Sequence, residues 1–282
     1  WADEASLELL LFMLDSVRQA PIFILAISRS VLPGQLEKAA SWARKNMGDR
    51  FQHIPLKSLS LDQAEQLLQL LLSIPDLPEQ LRLQVLTRAA GIPFYLEEIL
   101  RMLIDNDILV GENGHWMVRT GADVSSLGVP DTLQELILAR FDRLTNVQRR
   151  VLQVAAVIGK DFSLPVLHNV MQLPEIPALR VTIDSLVERE FIQPQAGNIE
   201  TEYTFRHILM SDAIYSTILR KERSQLHGQV GEALEMLYGE RIDELVELLA
   251  SHYRYSPRLD KALQYLVLAG QNAARNYATE QA

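Results

Sequence analysis

The sequence predicts a mainly α-helical protein with a small α/β part at its amino end. Two observations support this fold class. Apolar residues recur at the three-to-four-residue spacing of amphipathic helices through most of the 282 residues. One short apolar run, 22–27, is instead continuous and ends in Ser28-Arg29, as in a strand buried on both faces of a parallel sheet.

The composition excludes several classes of protein. The 27 Lys and Arg against 36 Asp and Glu give a net charge of −9, which opposes non-specific attraction to nucleic acid or anionic lipid. Cysteine is absent from the sequence, so disulfides and cysteine-based zinc sites are excluded and a reducing, cytoplasmic location is expected. The longest apolar runs fall short of the roughly 18 residues of a transmembrane helix, so no membrane partner is expected.

Residues 1–56 are expected to hold a helix, the strand at 22–27, an amphipathic helix at 36–46 and a weaker strand at 51–56. The chain opens on Trp1 without a signal-peptide layout, and we expect it to be a piece of a longer protein. Because two strands make a poor sheet, the other strands are expected upstream, and this part is expected to fold poorly alone.

Residues 57–120 are predicted to form a small helical domain that ends in a hairpin. Pro75, Pro78 and the Gly91-Ile92-Pro93 run separate three amphipathic segments. The predicted helices span 61–73, 78–90 and 93–105, and the hairpin joins 108–110 to 116–118.

Residues 121–206 are predicted to form a winged-helix domain behind a linker of small residues at 121–128. The order is helix, helix, short helix, helix, and then a two-stranded wing of 191–192 and 203–205. The candidate recognition helix, near 178–190, carries a net charge of −1 on its polar positions, which opposes contact with a phosphate backbone. DNA binding is therefore the lowest-ranked function. The polar positions are Arg180, Asp184, Glu188, Arg189 and Glu190.

Residues 207–282 are predicted to be wholly helical. Four segments, 207–219, 223–238, 242–253 and 259–277, have helical spacing. Small residues alternate with larger apolar ones in the last pair, as at the start of a tetratricopeptide-like (TPR-like) array. Such an array would be the site of a protein partner or of a sensed signal.

The sequence offers no catalytic constellation. The six histidines lack metal-ligand spacing, so no metal site is expected. A nucleophile elbow, Gly-x-Ser-x-Gly, and a phosphate-binding loop, Gly-x-x-x-x-Gly-Lys-Ser/Thr, are both absent from the sequence. We therefore expect no catalytic residue in this chain.

An opening stretch and five later segments, in order along the chain, resemble the STAND signal-transduction ATPases, a group with AAA+ and NB-ARC-like nucleotide-binding domains. The likeness begins at Trp1-Ala2-Asp3-Glu4-Ala5-Ser6, which resembles the stretch directly after the Walker B acids. It is greatest to the branch that includes bacterial class III adenylate and guanylate cyclases, serine/threonine kinases and large LuxR-type regulators. The five segments that follow the opening stretch are 23–29, 91–98, 129–133, 151–159 and 203–207.

The resemblance implies that 1–56 is the carboxyl part of a P-loop nucleotide-binding domain and that 57–120 is its helical lid. The Walker A and Walker B residues would lie upstream. It also implies ATP or ADP with Mg²⁺ as cofactors of the longer protein, and no cofactor for this chain alone.

The resemblance points to four nucleotide-binding residues, and each has a second interpretation. Arg29 matches a sensor arginine that reaches the γ-phosphate, or is a surface residue at a strand end. Gly91 and Pro93 match a Gly-x-Pro element beside adenine, or only end one helix and begin the next. His207 matches the histidine of a Met-His-Asp element at the β-phosphate, with different flanking residues, or merely caps or packs its helix.

Three acidic residues are interpreted without any ligand. Asp3 is accounted for as a helix N-cap. Glu97 and Glu98 are interpreted as solvated acids in the first turns of a helix, where they favour its positive end.

Two functions follow as hypotheses. The first is a regulatory ATP/ADP-dependent switch module of a multidomain cyclase, kinase or transcription regulator, whose parent would be an ATPase. The second is a helical protein–protein interaction scaffold that binds no nucleotide. The sequence upstream of Trp1 would separate them, since an intact phosphate-binding loop there favours the switch.

Overall fold

The computed structural model describes residues 4–16, 21–28, 34–72, 77–112, 115–119, 129–172, 176–195 and 202–275. The chain divides into two compact units, Trp1–Ser58 and Leu59–Ala282, and each is described by itself. In its described part the protein is mainly helical with small antiparallel sheets, as the sequence predicts.

The first unit contains helices α1 (Glu4–Ser16) and α2 (Gly34–Met47), which pack on each other, and a 3₁₀ turn at Gly48–Arg50. Helix α2 confirms the predicted amphipathic segment. The core of this unit is small, and its buried apolar side chains include Leu14, Ala39 and Ala43.

The prediction of two strands in this unit is wrong. Residues 21–28 and 51–58 are neither helix nor strand, and every side chain of 21–28 is exposed. A strand is stable only where a neighbouring strand accepts and donates its backbone hydrogen bonds, and the described residues of this unit supply no such neighbour. The apolar character of 22–27 therefore does not suffice to make it a strand here.

The second unit begins with α3 (Leu61–Leu72), α4 (Glu79–Ala89), α5 (Pro93–Asp105) and a hairpin of β1 (Leu109–Glu112) and β2 (His115–Val118). These bounds agree with the predicted ones to within one residue at each helix end. The strands pair antiparallel with Leu109 opposite Val118. Together with Val129 and Leu136 from the chain that follows, these elements build the first core, whose fully buried side chains include Leu81, Val85, Ile99 and Leu103.

Next come α6 (Leu133–Asp142), α7 (Asn146–Ile158), β3 (Asp161–Ser163), α8 (Leu164–Met171), α9 (Ile176–Glu188), β4 (Ile192–Pro194) and β5 (Glu202–Phe205). Thr132 and Thr145 cap α6 and α7 in reciprocal capping boxes with Glu135 and Gln148. The strands form one antiparallel sheet in the order β3-β5-β4. The predicted wing corresponds to β4 and β5, and β3 was not predicted. The predicted linker at 121–128 lies outside the described residues.

The chain continues through α10 (Ile208–Thr217), α11 (Arg220–Tyr238), a 3₁₀ segment at Gly239–Glu244, α12 (Val246–Arg254) and α13 (Leu259–Arg275). Helix α11 packs on α7, α8 and α12, and α12 packs on α13. These helices share the second core with α6 to α9 and the three-stranded sheet. None of the helices in the described part of the chain is long and apolar enough to cross a membrane.

Candidate functional site

Three of the four predicted nucleotide-binding residues, Gly91, Pro93 and His207, lie in the second unit and are described by the structure. Arg29 lies outside the described residues. The candidate site is therefore built from two helix starts: that of α5, which follows Gly91, and that of α10, which follows His207.

Gly91 forms the turn between α4 and α5. Ala90, the C-cap that follows α4, is left-handed, and Gly91 comes next with a φ of +73°. The Leu59 amide donates a hydrogen bond of 2.7 Å to the Gly91 carbonyl oxygen. A Cβ atom at Gly91 would lie 2.2 Å from the Leu59 carbonyl oxygen, so no larger residue fits this turn.

Pro93 is the first residue of α5, where its missing N–H and its restricted φ are favourable. Ile92 and Pro93 are both exposed, so they present an apolar edge at the start of this helix. The structure thus gives Gly91 and Pro93 the helix-junction role that the sequence offered as an alternative, and leaves Pro93 accessible to a ligand.

His207 is the N-cap of α10, and its Nδ1 atom accepts a hydrogen bond from the Leu209 amide over 3.2 Å. Its ring stacks on Phe94, with centroids 4.1 Å apart and planes inclined by 15°. Burial lowers the pKa of His207, and the positive charge of Lys160 lowers it further, while Glu97 opposes the shift. The imidazole is therefore mainly neutral at neutral pH and can accept the capping hydrogen bond.

The Phe94–His207 stack brings the starts of two helices together, because Phe94 follows Pro93 directly. The first amides of a helix carry partial positive charge and lack partners within their own helix. Two such starts favour an anionic group over a cationic one.

The expectation for the two acids in α5 is wrong for Glu98. Glu98 is buried, with 3% of its side chain exposed, and its Oε2 atom lies 2.5 Å from Nη1 of Arg140. Burial raises the pKa of the Glu98 carboxyl, and the adjacent guanidinium opposes that rise. Glu97 is half-buried and lies 3.6 Å from Nη2 of Arg206. Neither acid is simply solvated, because a second group of helices covers this face of α5.

Three residues of the site were not predicted as such: Phe94, Glu98 and Arg140. A sequence clue exists for Arg140, since it lies among Leu136, Ile137 and Phe141 on the apolar face of α6. A long cation in that position is buried only when anions surround it. The corresponding acids lie 35 or more residues away, at Asp105 and Glu98, so spacing alone does not identify them.

A metal centre has no support in the described part of the chain. No group of three or more histidine, aspartate or glutamate side chains there lies close enough to hold an ion. Two histidines of the described part, His227 of α11 and His252 of α12, are buried and in contact, with their Nδ1 atoms 3.0 Å apart.

Comparison with known proteins gives distant similarities. No family model matches the chain. It is 24% identical over 278 residues to an uncharacterised protein of Rhizobium meliloti (strain 1021), a match that covers 99% of this chain and 26% of that protein. It is also similar to adenylate cyclase type 10 of two mammals.

The match to the Rattus norvegicus cyclase is 20% identical over 269 residues and covers 82% of this chain and 16% of the cyclase. The match to the Oryctolagus cuniculus cyclase is 22% identical over 215 residues and covers 63% of this chain and 13% of the cyclase. The chain thus spans about a quarter or less of the length of these relatives. The comparisons therefore relate this chain, at a distance, to a segment of a signalling protein, adenylate cyclase type 10.

Proposed function

We propose that this chain is part of an ATP/ADP-dependent regulatory switch in a multidomain signalling protein of the STAND class. The observation that carries the proposal is the meeting of two helix starts at the Phe94–His207 stack. The distant similarity to adenylate cyclase type 10 agrees with a signalling context.

The role proposed for each residue of the site follows from its position. The exposed Ile92 and Pro93 offer an apolar wall on which a flat base can pack. The starts of α5 and α10 would place the positive ends of their helix dipoles toward the phosphates, and His207 holds the α10 start in place as its N-cap. Mg²⁺ would accompany ATP and neutralise phosphate charge in the longer protein.

The order of elements also supports a winged-helix interpretation of the middle of the second unit. Helix α7, strand β3, helices α8 and α9, and strands β4 and β5 follow one another, and β5 lies between β3 and β4. Helix α9 exposes one positive and one negative side chain, Arg180 and Asp184. Beyond its end, Glu190 forms ion pairs with Arg101 and Arg206. This charge balance favours a role in packing over DNA binding. The helices that follow would begin the TPR-like array, and residues 1–56 would belong to the P-loop domain.

The test measures ADP and ATP binding by calorimetry to the longer protein, including the region upstream of Trp1. His207→Ala removes both the imidazole and the helix cap, whereas His207→Asn keeps a good cap and removes only the imidazole. We expect both variants to weaken ADP binding by about tenfold, which corresponds to one charge-assisted hydrogen bond. Pro93→Ala should weaken the binding of ADP and of ATP to a similar extent, because it alters the apolar surface on which the base would pack.

A second function, a protein-interaction scaffold, has one observation in its favour. Helix α13 carries an exposed apolar stripe formed by Leu259, Leu263, Leu266 and Val267. Exposed stripes of this kind are typical of surfaces that pack against another helix. If the longer protein binds neither ADP nor ATP, the switch fails and the scaffold becomes the better account.

A further inference from the structure

Helix α5 presents two different faces to the two cores. One face is apolar and lies in the first core, where Leu96, Ile99 and Leu103 are buried. The opposite face carries residues spaced four, three and four apart, which places them in one line along the helix. We call this line the contact stripe: Phe94, Glu98, Arg101 and Asp105.

Arg140 of α6 is the centre of the groups that face the contact stripe. Its side chain is 1% exposed, with Nη1 2.5 Å from Glu98 and Nε 3.0 Å from Asp105. Its Nη2 atom donates a 2.7 Å hydrogen bond to the carbonyl oxygen of Arg189, beyond the end of α9. The guanidinium also lies over the Phe191 ring, 4.8 Å from its centroid. One side chain thus joins α5, α6 and the turn between α9 and β4.

The rest of the contact stripe is held by the same part of the second core. Arg101 forms an ion pair with Glu190, and Arg206 bridges Glu190 at 2.9 Å and Glu97 at 3.6 Å. At the amino end of the stripe, Phe94 stacks on His207. Phe94 and Glu98 are one helical turn apart, so the ion pair with Arg140 lies directly beneath the ring stack.

A buried ion pair of this kind cannot be parted gradually. Separating α5 from α6 without solvent entry would leave Glu98 charged and unpaired in an apolar surrounding, which is far more costly than losing an exposed pair. The two elements therefore either stay together or separate in one step that hydrates the whole stripe.

We propose that Arg140 is a latch that holds the contact stripe of α5 on the second core, so that the α5 start, His207 and α6 move as one body. Arg140 is then a positioning residue for the Phe94–His207 stack. The latch exists whether or not the chain binds nucleotide. Any conformational change that separates the α5 start from His207 must first break it.

The experiment compares wild-type protein with Arg140→Gln in the absence of nucleotide. Histidine ring resonances are titrated by NMR, and amide exchange along α5 is followed by mass spectrometry. We expect the pKa of His207, lowered in the wild type by burial, to rise toward 6.5 in Arg140→Gln as the Phe94 ring leaves it. The amides of α5 should exchange about tenfold faster or more.

His227 and His252 are the internal control, because they lie in the second core away from the stripe and should keep their titration. Arg241→Gln, which removes an exposed ion pair with Glu244, should change neither the pKa of His207 nor the rate of amide exchange along α5. Unchanged His207 titration and α5 exchange in a folded Arg140→Gln protein would overturn the latch.

Arg140→Lys is the second variant, for the case in which Arg140→Gln does not fold. It keeps the charge at Glu98 but cannot also reach Asp105 and the Arg189 carbonyl with a planar fork. A His207 shift with His227 and His252 unmoved supports the latch, and a joint shift of all three histidines contradicts it.

Discussion

Gly91 occupies a position that no other residue fits without strain. Its φ of +73° lies in the left-handed region, and its neighbour across the turn is backbone, which cannot rotate away as a side chain can. This requirement is structural and acts before any ligand is considered. It explains why a glycine precedes α5 independently of the function of the site.

We expect Gly91→Ala to lower the free energy of unfolding by about 2–4 kcal/mol, of which about 1 kcal/mol is left-handed backbone strain and the rest the contact with Leu59. Urea denaturation followed by circular dichroism measures this change. Gly239→Ala is the matched control, because Gly239 has a φ of −52° and no atom within 4 Å of its Cβ position. Its stability should stay within about 0.5 kcal/mol. Equal losses in the two variants would contradict the steric explanation.

At the scale of elements, helix α11 is shaped by two glycines on the side that faces α12 and the turn after it. A Cβ atom at Gly231 would lie 2.6 Å from the Tyr253 ring, whereas one at Gly228 would make ordinary contact with Ser256 at 3.5 Å. Tyr253 is fully buried and stacks on Tyr265 with ring centroids 5.5 Å apart. The Tyr253 ring is therefore held in place and cannot easily move away from a Cβ atom at Gly231.

The two glycines should respond oppositely to the same substitution. Gly228→Ala should raise the free energy of unfolding by up to about 1 kcal/mol, since alanine favours the helix. Gly231→Ala should lower it by about 1–3 kcal/mol, because overpacking outweighs that gain. Thermal and urea denaturation of both variants provide the measurement, and a stabilised Gly231→Ala would show that α12 shifts freely along α11.

At the scale of the whole molecule, a chain of hydrogen bonds joins α10, α11 and α12 through one half-buried and two buried rings. The Tyr215 hydroxyl and Nε2 of His227 are 2.9 Å apart, and the Nδ1 atoms of His227 and His252 are 3.0 Å apart. A backbone hydrogen bond joins His252 to Ile158 at the end of α7. Two imidazoles can share one Nδ1–Nδ1 hydrogen bond only while at least one of them is neutral.

Burial lowers the pKa of His227 to about 4, and Arg223 contributes; burial and the neighbouring His227 lower the pKa of His252 to about 4. The unfolded chain, at about 6.5, therefore binds more protons, so stability is complete above pH 6.5 and is lost as the pH falls toward 4. For one histidine, the lowering of the pKa from 6.5 to about 4 corresponds to a loss of about 3 kcal/mol in the free energy of unfolding. Urea denaturation between pH 7.5 and 4.5 measures this loss.

The control for this prediction is the pH dependence of two variants. His252→Gln should flatten the loss of stability on acidification, because it removes one of the two buried imidazoles whose pKa is lowered in the folded protein. His53→Gln, at an exposed histidine of the first unit, should leave the slope unchanged. A slope that stays the same in His252→Gln would assign the acid sensitivity to other groups.

Most helices could be predicted because their determinants are local. The Gly91-Ile92-Pro93 run defines the start of α5, and the capping pair of Ser60 and Gln63 forms just before α3, with a 3.0 Å bond from the Ser60 amide. The strands are different. β3 has three residues and becomes a strand only by pairing with β5, about 40 residues later. The run at 22–27 is strongly apolar and is not a strand, because the described part of its unit provides no partner.

The sequence by itself determined the mainly helical class, the bounds of α3 to α5 and the residues at both helix starts of the candidate site. These properties depend on periodicity and caps within a few residues. Only the tertiary structure decided that Glu98 is buried against Arg140, that Phe94 covers His207, and that two histidines share one hydrogen bond. The physical reason is that burial of a charge and pairing of rings depend on atoms far apart in the chain, and no local pattern specifies which of them meet.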